Sequence, residues 1–303
     1  MEDDHHAQYL VGMSLKNKAL MLKEQQLALA DSGEQDVEAQ ALLNKSVSAK
    51  LENAAYWFAK AGPFDADALF EHGVALLHGY LGEADEVAGQ AAIKQAAEQG
   101  VVNAMALLGY FYLVGSHQIA QDLKLAEHYL YAAAQQEQAE AMSNLGVLYY
   151  QQGQLEQAYD CISRAAKSGF PNAQYHLALM LANGDGCQID LGGSEHWLAE
   201  AAEQGQLDAM LARAQHMLND DNAFGEQLSQ AEVYLRDVIR YGRSVPAMIE
   251  LSVALADGVL GRIDVVGAAA LLKMAADYGN EQELQVIERY GSRWRCRLKV
   301  LLQ

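Results

Sequence analysis

Small and apolar residues recur along this chain at helical spacing, with a long period superimposed. An alanine followed five residues later by glycine or another small residue appears six times: Ala68/Gly73, Ala104/Gly109, Ala141/Gly146, Ala173/Ala178, Ala209/Ala214 and Ala247/Ser252. Successive copies stand 32 to 38 residues apart. Glycine inside a helix costs about 1 kcal/mol relative to alanine. Its repeated use there predicts helices that cross too closely to admit a side chain.

A second column follows in each copy: Ala92, Tyr129, Cys161, Trp197, Tyr234 and Leu271, with Trp57 equivalent near the N-terminus. Four and five residues on stand the pairs Ala96-Ala97, Ala133-Ala134, Ala165-Ala166, Ala201-Ala202, Val238-Ile239 and Ala275-Ala276. A large residue followed at i+4 by a small one sets a ridge beside a groove on one helix face, so each copy predicts a second helix packed on the first. Asp85, Asp122, Asp190 and Asp264 lie seven residues before the large column, placed to cap that second helix. The three prolines, Pro63, Pro171 and Pro246, fall at joints between helical stretches, which again reads as all-α.

This pattern resembles the Sel1-like repeat, a branch of the tetratricopeptide superfamily, whose units run roughly A-x-x-x-L-G-x-x-Y, then G-x-G, then D-x-x-x-A-x-x-W-x-x-x-A-A-x-x-G. "AMALLGYFYLVGSHQIAQDLKLAEHYLYAAAQQ" from Ala104 is similar to it, and "AQYHLALMLANGDGCQIDLGGSEHWLAEAAEQG" from Ala173 more so around the G-x-G loop and Trp197. "AMSNLGVLYYQQGQLEQAYDCISRAAKSGFPN" from Ala141 lacks the loop extension and reads as a plain tetratricopeptide hairpin. The resemblance implies a right-handed α-solenoid of stacked antiparallel helix pairs, with about six repeats over residues 63–279.

The ends are less regular. "AQYLVGMSL" from Ala7 follows a first-helix pattern, but Ala7 and Trp57 are 50 residues apart. Residues 1–62 are therefore expected to form a long helical hairpin, turning at "DSGEQ". Residues 280–303 are expected to form an amphipathic capping helix, with Trp294, Leu298, Leu301 and Leu302 on one stripe. That segment carries Arg289, Arg293, Arg295, Arg297 and Lys299, expected to be drawn to an acidic body.

Composition narrows the function. With 51% hydrophobic and 20% charged residues the chain has enough apolar material to fold. Its formal charge of −19 opposes binding to nucleic-acid phosphates or anionic lipids and favours a neutral to basic protein or peptide partner. No apolar run is long enough to span a membrane, and the start "MEDDHHAQYLVGMSL" carries acids where a secretory signal has Lys or Arg. A cytoplasmic location is the expectation, periplasmic or secreted only for a trimmed mature form. Cys161, Cys187 and Cys296 are irregularly spaced and make no disulfide framework.

The chain contains no H-E-x-x-H, G-x-S-x-G, C-x-x-C or phosphate-binding glycine loop, so no enzyme activity, cofactor or metal is expected. "NGDG" at 183–186 is not read as a calcium loop, because Cys187 and Ile189 sit where oxygen ligands would be needed. His128 and His196 occupy equivalent repeat positions rather than one site, and His5 and His6 are read as a terminal pair. Tyr112, Tyr129, Tyr149, Trp197 and Tyr234 are expected in the core, with Tyr110 and Tyr150 facing outward.

The resemblance implies a scaffold or adaptor that holds a peptide in the concave groove lined by the first helices. Register selects the groove positions: Glu71, His78, Tyr110, Asn144, Tyr150, His176, Asn183, Gln215, Glu250 and Asp257. The central group of Asn144, Tyr150 and His176 is favoured. An alternative is a dedicated inhibitor or chaperone, of the immunity-protein type, that sequesters one basic effector. An enzyme site assembled across repeats stays open, and would require converging titratable groups.

Overall fold

In the computed structural model the described residues are 4–31, 37–116, 118–220, 222–280 and 282–290. They form helices α1 (His5–Asp31), α2 (Val37–Ala61), α3 (Ala66–Leu77), α4 (Glu86–Glu98), α5 (Val102–Val114), α6 (Leu123–Ala134) and α7 (Ala139–Gln151), then α8 (Leu155–Lys167), α9 (Pro171–Asn183), α10 (Leu191–Glu203), α11 (Leu207–Asn219), α12 (Glu226–Gly242), α13 (Val245–Asp257) and α14 (Val265–Tyr278). Residues 282–290 are also helical, and there is no strand among the described residues. The chain divides into two compact units, Met1–Gln154 and Leu155–Gln303.

In the first unit α1 packs on α2, α3 on α4 and α5 on α6, while α2–α3, α4–α5 and α6–α7 join successive pairs and α5 also touches α7. In the second, α9–α10, α11–α12 and α13–α14 are the pairs, linked through α8–α9, α10–α11 and α12–α13, with α11 against α13. Adjacent antiparallel pairs of this kind are α-solenoid packing.

The small-residue columns are the reason the pairs close. All six column alanines, Ala68, Ala104, Ala141, Ala173, Ala209 and Ala247, are 0% exposed. At Gly73 an added Cβ would lie 2.9 Å from the Gly89 carbonyl oxygen, and at Gly109 it would lie 2.7 Å from Leu130 Cγ. Helix α3 thus meets α4, and α5 meets α6, backbone against neighbour. Where the column holds Ser252 instead, its hydroxyl donates to the Ile249 carbonyl at 2.6 Å and stays buried without penalty.

The aspartates cap as their spacing predicts. Asp85 accepts from the Ala88 N–H, Asp122 from Lys124 and Leu125, Asp190 from Gly193 and Asp264 from Gly267, all within 2.8–3.1 Å. Their own N–H groups do a second job: they donate back to the first helix, to the carbonyls of Leu76, Tyr112, Leu181 and Leu255, at 2.9–3.0 Å. One residue therefore starts the second helix and ties it to the first. Gly184 and Gly258 end α9 and α13 in the left-handed region, at φ 80° and 79°, where a side chain would be strained.

The N-terminal histidines are built into the fold, unlike the loose terminal pair expected. His5 lies in α1 with its ring stacked on Phe64, centroids 3.8 Å apart, and His6 Nδ1 is 3.2 Å from Asp65, the cap of α3. Of the expected C-terminal cap, Ile287 is buried in the core of the second unit and Tyr290 packs against it. Trp294, Leu298, Leu301, Leu302 and the basic residues from Arg293 to Lys299 lie outside the described residues.

Candidate binding face

First helices of consecutive pairs touch within each unit, α5 with α7 and α11 with α13, so residues on the face they share are the candidates for contact with another molecule. In the first unit this face belongs to α1, α3, α5 and α7. Glu71, on α3, is not open to a ligand: its carboxylate is buried and accepts from Lys16 Nζ of α1 at 2.6 and 2.8 Å. His78 caps α3, with Nδ1 2.9 Å from the Val74 carbonyl and its exposed ring stacked on Tyr80 at 5.2 Å. Tyr110 on α5 and Tyr150 on α7 stand out into solvent, 39% and 44% exposed, while Asn144 on α7 is half-buried.

The second unit holds the other five residues. His176 on α9 is half-buried, and burial pushes its pKa below 6.5, with Asp208 opposing the shift only in part. Asn183 is exposed at the end of α9 and donates to Asp185 at 3.3 Å within the loop. Gln215 of α11 donates to Glu250 of α13 at 3.2 Å, across consecutive first helices. Asp257 is the last residue of α13. The favoured group is divided by the unit boundary: Asn144 and Tyr150 fall in the first unit, His176 in the second.

Sequence reasoning missed Lys16. The signal was present, because Ala7 and Gly12 follow the column pattern and Lys16 comes four residues after Gly12, at a face position of the first-helix register. Sequence reasoning also missed the caps of the first helices, where Asp65, Gln138, Gln206 and Ser244, three residues before the column alanine, accept its N–H.

The candidate residues carry amides, phenols, carboxylates and two imidazoles, that of His176 with its pKa lowered by burial. No group of three or more His, Cys, Asp or Glu able to hold a metal exists among the described residues. Burial is the main cause that raises the thiol pKa of both Cys161 and Cys187, the opposite of what activates a nucleophile. No helix among the described residues is long and apolar enough to cross a membrane.

Comparison with known proteins agrees with this architecture. The Sel1 repeat family matches residues 102–137, 139–170, 171–206 and 245–280. A Sel1 repeat protein from Oxalobacter formigenes superposes with a TM-score of 0.65 at 22% identity, covering 92% of this chain and 89% of that one. A protective antigen of uropathogenic Escherichia coli with an SLR fold superposes at 0.59 and 19% identity, covering 96% and 65%. The chain is also 31% identical over 115 residues to the chitin synthase regulator SKT5 of Saccharomyces cerevisiae, a match to 36% of this chain and only 16% of the regulator.

Proposed function

We propose that this Sel1-repeat protein is a non-catalytic scaffold that holds a peptide or protein segment on the face lined by its first helices. The observation that carries this reading is the sequence of side chains across α5 and α7. Tyr110 and Tyr150 project from neighbouring helices on a scaffold whose alanine columns are sealed, with Asn144 half-buried between core positions. Tyrosine offers a rigid apolar surface with a polar tip at low entropic cost, and a carboxamide can both donate to and accept from a peptide backbone. The Sel1-repeat fold, typical of protein-interaction scaffolds, supports the same reading. The net charge of −19 favours a neutral to basic partner and disfavours nucleic acid.

The test compares affinity capture from native lysate by the wild type and by the triple variant Tyr110→Ala, Asn144→Ala and Tyr150→Ala, with circular dichroism confirming that the variant is folded. A protein retained by the wild type and lost by the variant is the expected result. Partners that survive the variant remove the first-helix face of this unit from consideration. The charge also favours a second reading, a dedicated inhibitor or chaperone of one basic effector. That reading predicts a single partner whose association slows steeply as salt is raised.

A further inference from the structure

Beside Glu71 and His78 the first unit contains a small cavity of about 60 Å³, partly open to solvent. Its inner walls are apolar: Ala54, Ala55 and Phe58 of α2 and Val74 and Ala75 of α3. Leu20 and Tyr80 line its more exposed side, Leu20 being 46% exposed, and the Lys16–Glu71 ion pair completes the rim. A space that holds a water needs roughly 10–15 Å³ of such volume, so this one has room for about four to six groups of that size. Water is a poor occupant here, since each molecule seeks two to four polar partners and most of the lining provides none.

The rim defines the polar half of the ligand. Lys16 directs its ammonium at both oxygens of Glu71, at 2.8 and 2.6 Å, and an ammonium has three N–H groups. Two are taken up by the carboxylate, which leaves one N–H on a side chain that is 30% exposed. Because Glu71 compensates the charge of Lys16, the rim is electrically neutral as a pair. A neutral acceptor such as a peptide carbonyl suits that remaining N–H, whereas a free carboxylate would meet the Glu71 charge as well. His78 stacks on Tyr80, a residue of the cavity wall.

We infer that this cavity is an anchoring pocket for one branched aliphatic side chain of the bound segment, leucine in size, with Lys16 donating to that residue's backbone carbonyl. The inference rests on the peptide-holding reading above and names the side chain that the segment must carry. An isobutyl group, with four carbons, fits within that room. A single aliphatic residue in a preformed pocket is a common way for a peptide to fix its register on a helical scaffold.

The experiment titrates the full chain, labelled at Leu, Val and Ala methyl groups, with N-acetyl-leucine methylamide and follows the methyl signals by NMR. Saturable shifts are expected at Leu20, Ala54, Val74 and Ala75. N-acetyl-glycine methylamide should bind about tenfold or more weakly, the ratio that burying a leucine side chain produces. Leu20→Trp, a change at a half-exposed position that fills the mouth, should abolish the shifts while leaving the remaining methyl spectrum in place. Absence of saturable shifts at those methyls overturns the pocket, as does equal binding of the glycine probe. Tighter binding of 4-methylpentanoate than of the amide would overturn the carbonyl assignment, because the site would then be reading an anion. Failure here with a partner still lost by the Tyr110/Asn144/Tyr150 variant removes the pocket alone. Probe binding with the partner retained by that variant removes the scaffold-face reading instead.

Discussion

Gly73→Ala tests whether close backbone contact is what the small-residue columns are for. The new methyl carbon would stand 2.8 Å from Ile93 Cγ1, 2.9 Å from the Gly89 carbonyl oxygen and 3.1 Å from Ala92 Cβ. Carbon atoms pack comfortably at about 3.5–4.0 Å, so all three contacts are too short. Ile93 is fully buried and the Gly89 oxygen is backbone, so relief requires α3 and α4 to separate. Helix propensity pulls the other way by about 1 kcal/mol. Overpacking a core costs about 1–3 kcal/mol, and here it also opens a helix pair, so the net loss should be about 1–2 kcal/mol. Gly192→Ala is the control: it lies in α10, where an added Cβ meets nothing nearer than Asp190 Oδ1 at 3.6 Å. That change should stabilise by about 0.4–1 kcal/mol. Urea unfolding followed by far-UV circular dichroism reads both midpoints. Shifts of the same sign in the two variants, or a stabilised Gly73→Ala, would refute close packing as the reason for the column.

Three further outcomes follow from particular contacts. Lys16→Met leaves the Glu71 carboxylate buried without its cation and should cost about 1–3 kcal/mol in the same unfolding assay, with Lys16→Met/Glu71→Met recovering part of the loss. Burial pushes His72 below 6.5, and His176 is lowered by burial too, so just below pH 6.5 the unfolded chain binds more protons than the folded one. Stability is then full above that pH and falls as pH drops toward the folded pKa values; a melting temperature independent of pH between about 7 and 5 would contradict both assignments. Asp264→Ala should cost about 1 kcal/mol through loss of the bond from the Gly267 N–H, and Asp264→Asn should cost less, measured by thermal melting.

The fold was readable because its demands are local and periodic. A column alanine sealed at every copy, and an aspartate immediately before α4, α6, α10 and α14, leave marks that a single chain displays repeatedly. The helix pairs at Ala68 and Ala209 illustrate this: they lie outside the segments that match the Sel1 family, yet α3–α4 and α11–α12 form on the same column residues. The role of His5 was not readable, since it depends on Phe64, a residue 59 positions away that only the folded α1–α3 arrangement brings to it. The Lys16–Glu71 pair was readable in part: register places both residues at face positions, but which side chain meets which is set by a contact between helices.

The candidate face was only half readable, for a reason internal to repeat architecture. The position two residues before the small-residue column is Glu71 in α3 and Glu250 in α13, and both are engaged by the preceding first helix, through Lys16 and Gln215. A polar side chain on that stripe can thus serve the clamp between repeats or the contact with a partner, and register alone assigns both to the same place. The two uses separate by what surrounds them. Glu71 is sealed by its ion pair, whereas Tyr110 and Tyr150, one and four residues after the column of their helices, keep about two-fifths of their surface in water. Substitutions at the clamps should therefore move stability first, and substitutions at the tyrosines should move partner affinity with stability unchanged. On the proposed face the helices that join the repeats would also hold the partner, so the exposure of each side chain is what tells the two uses apart.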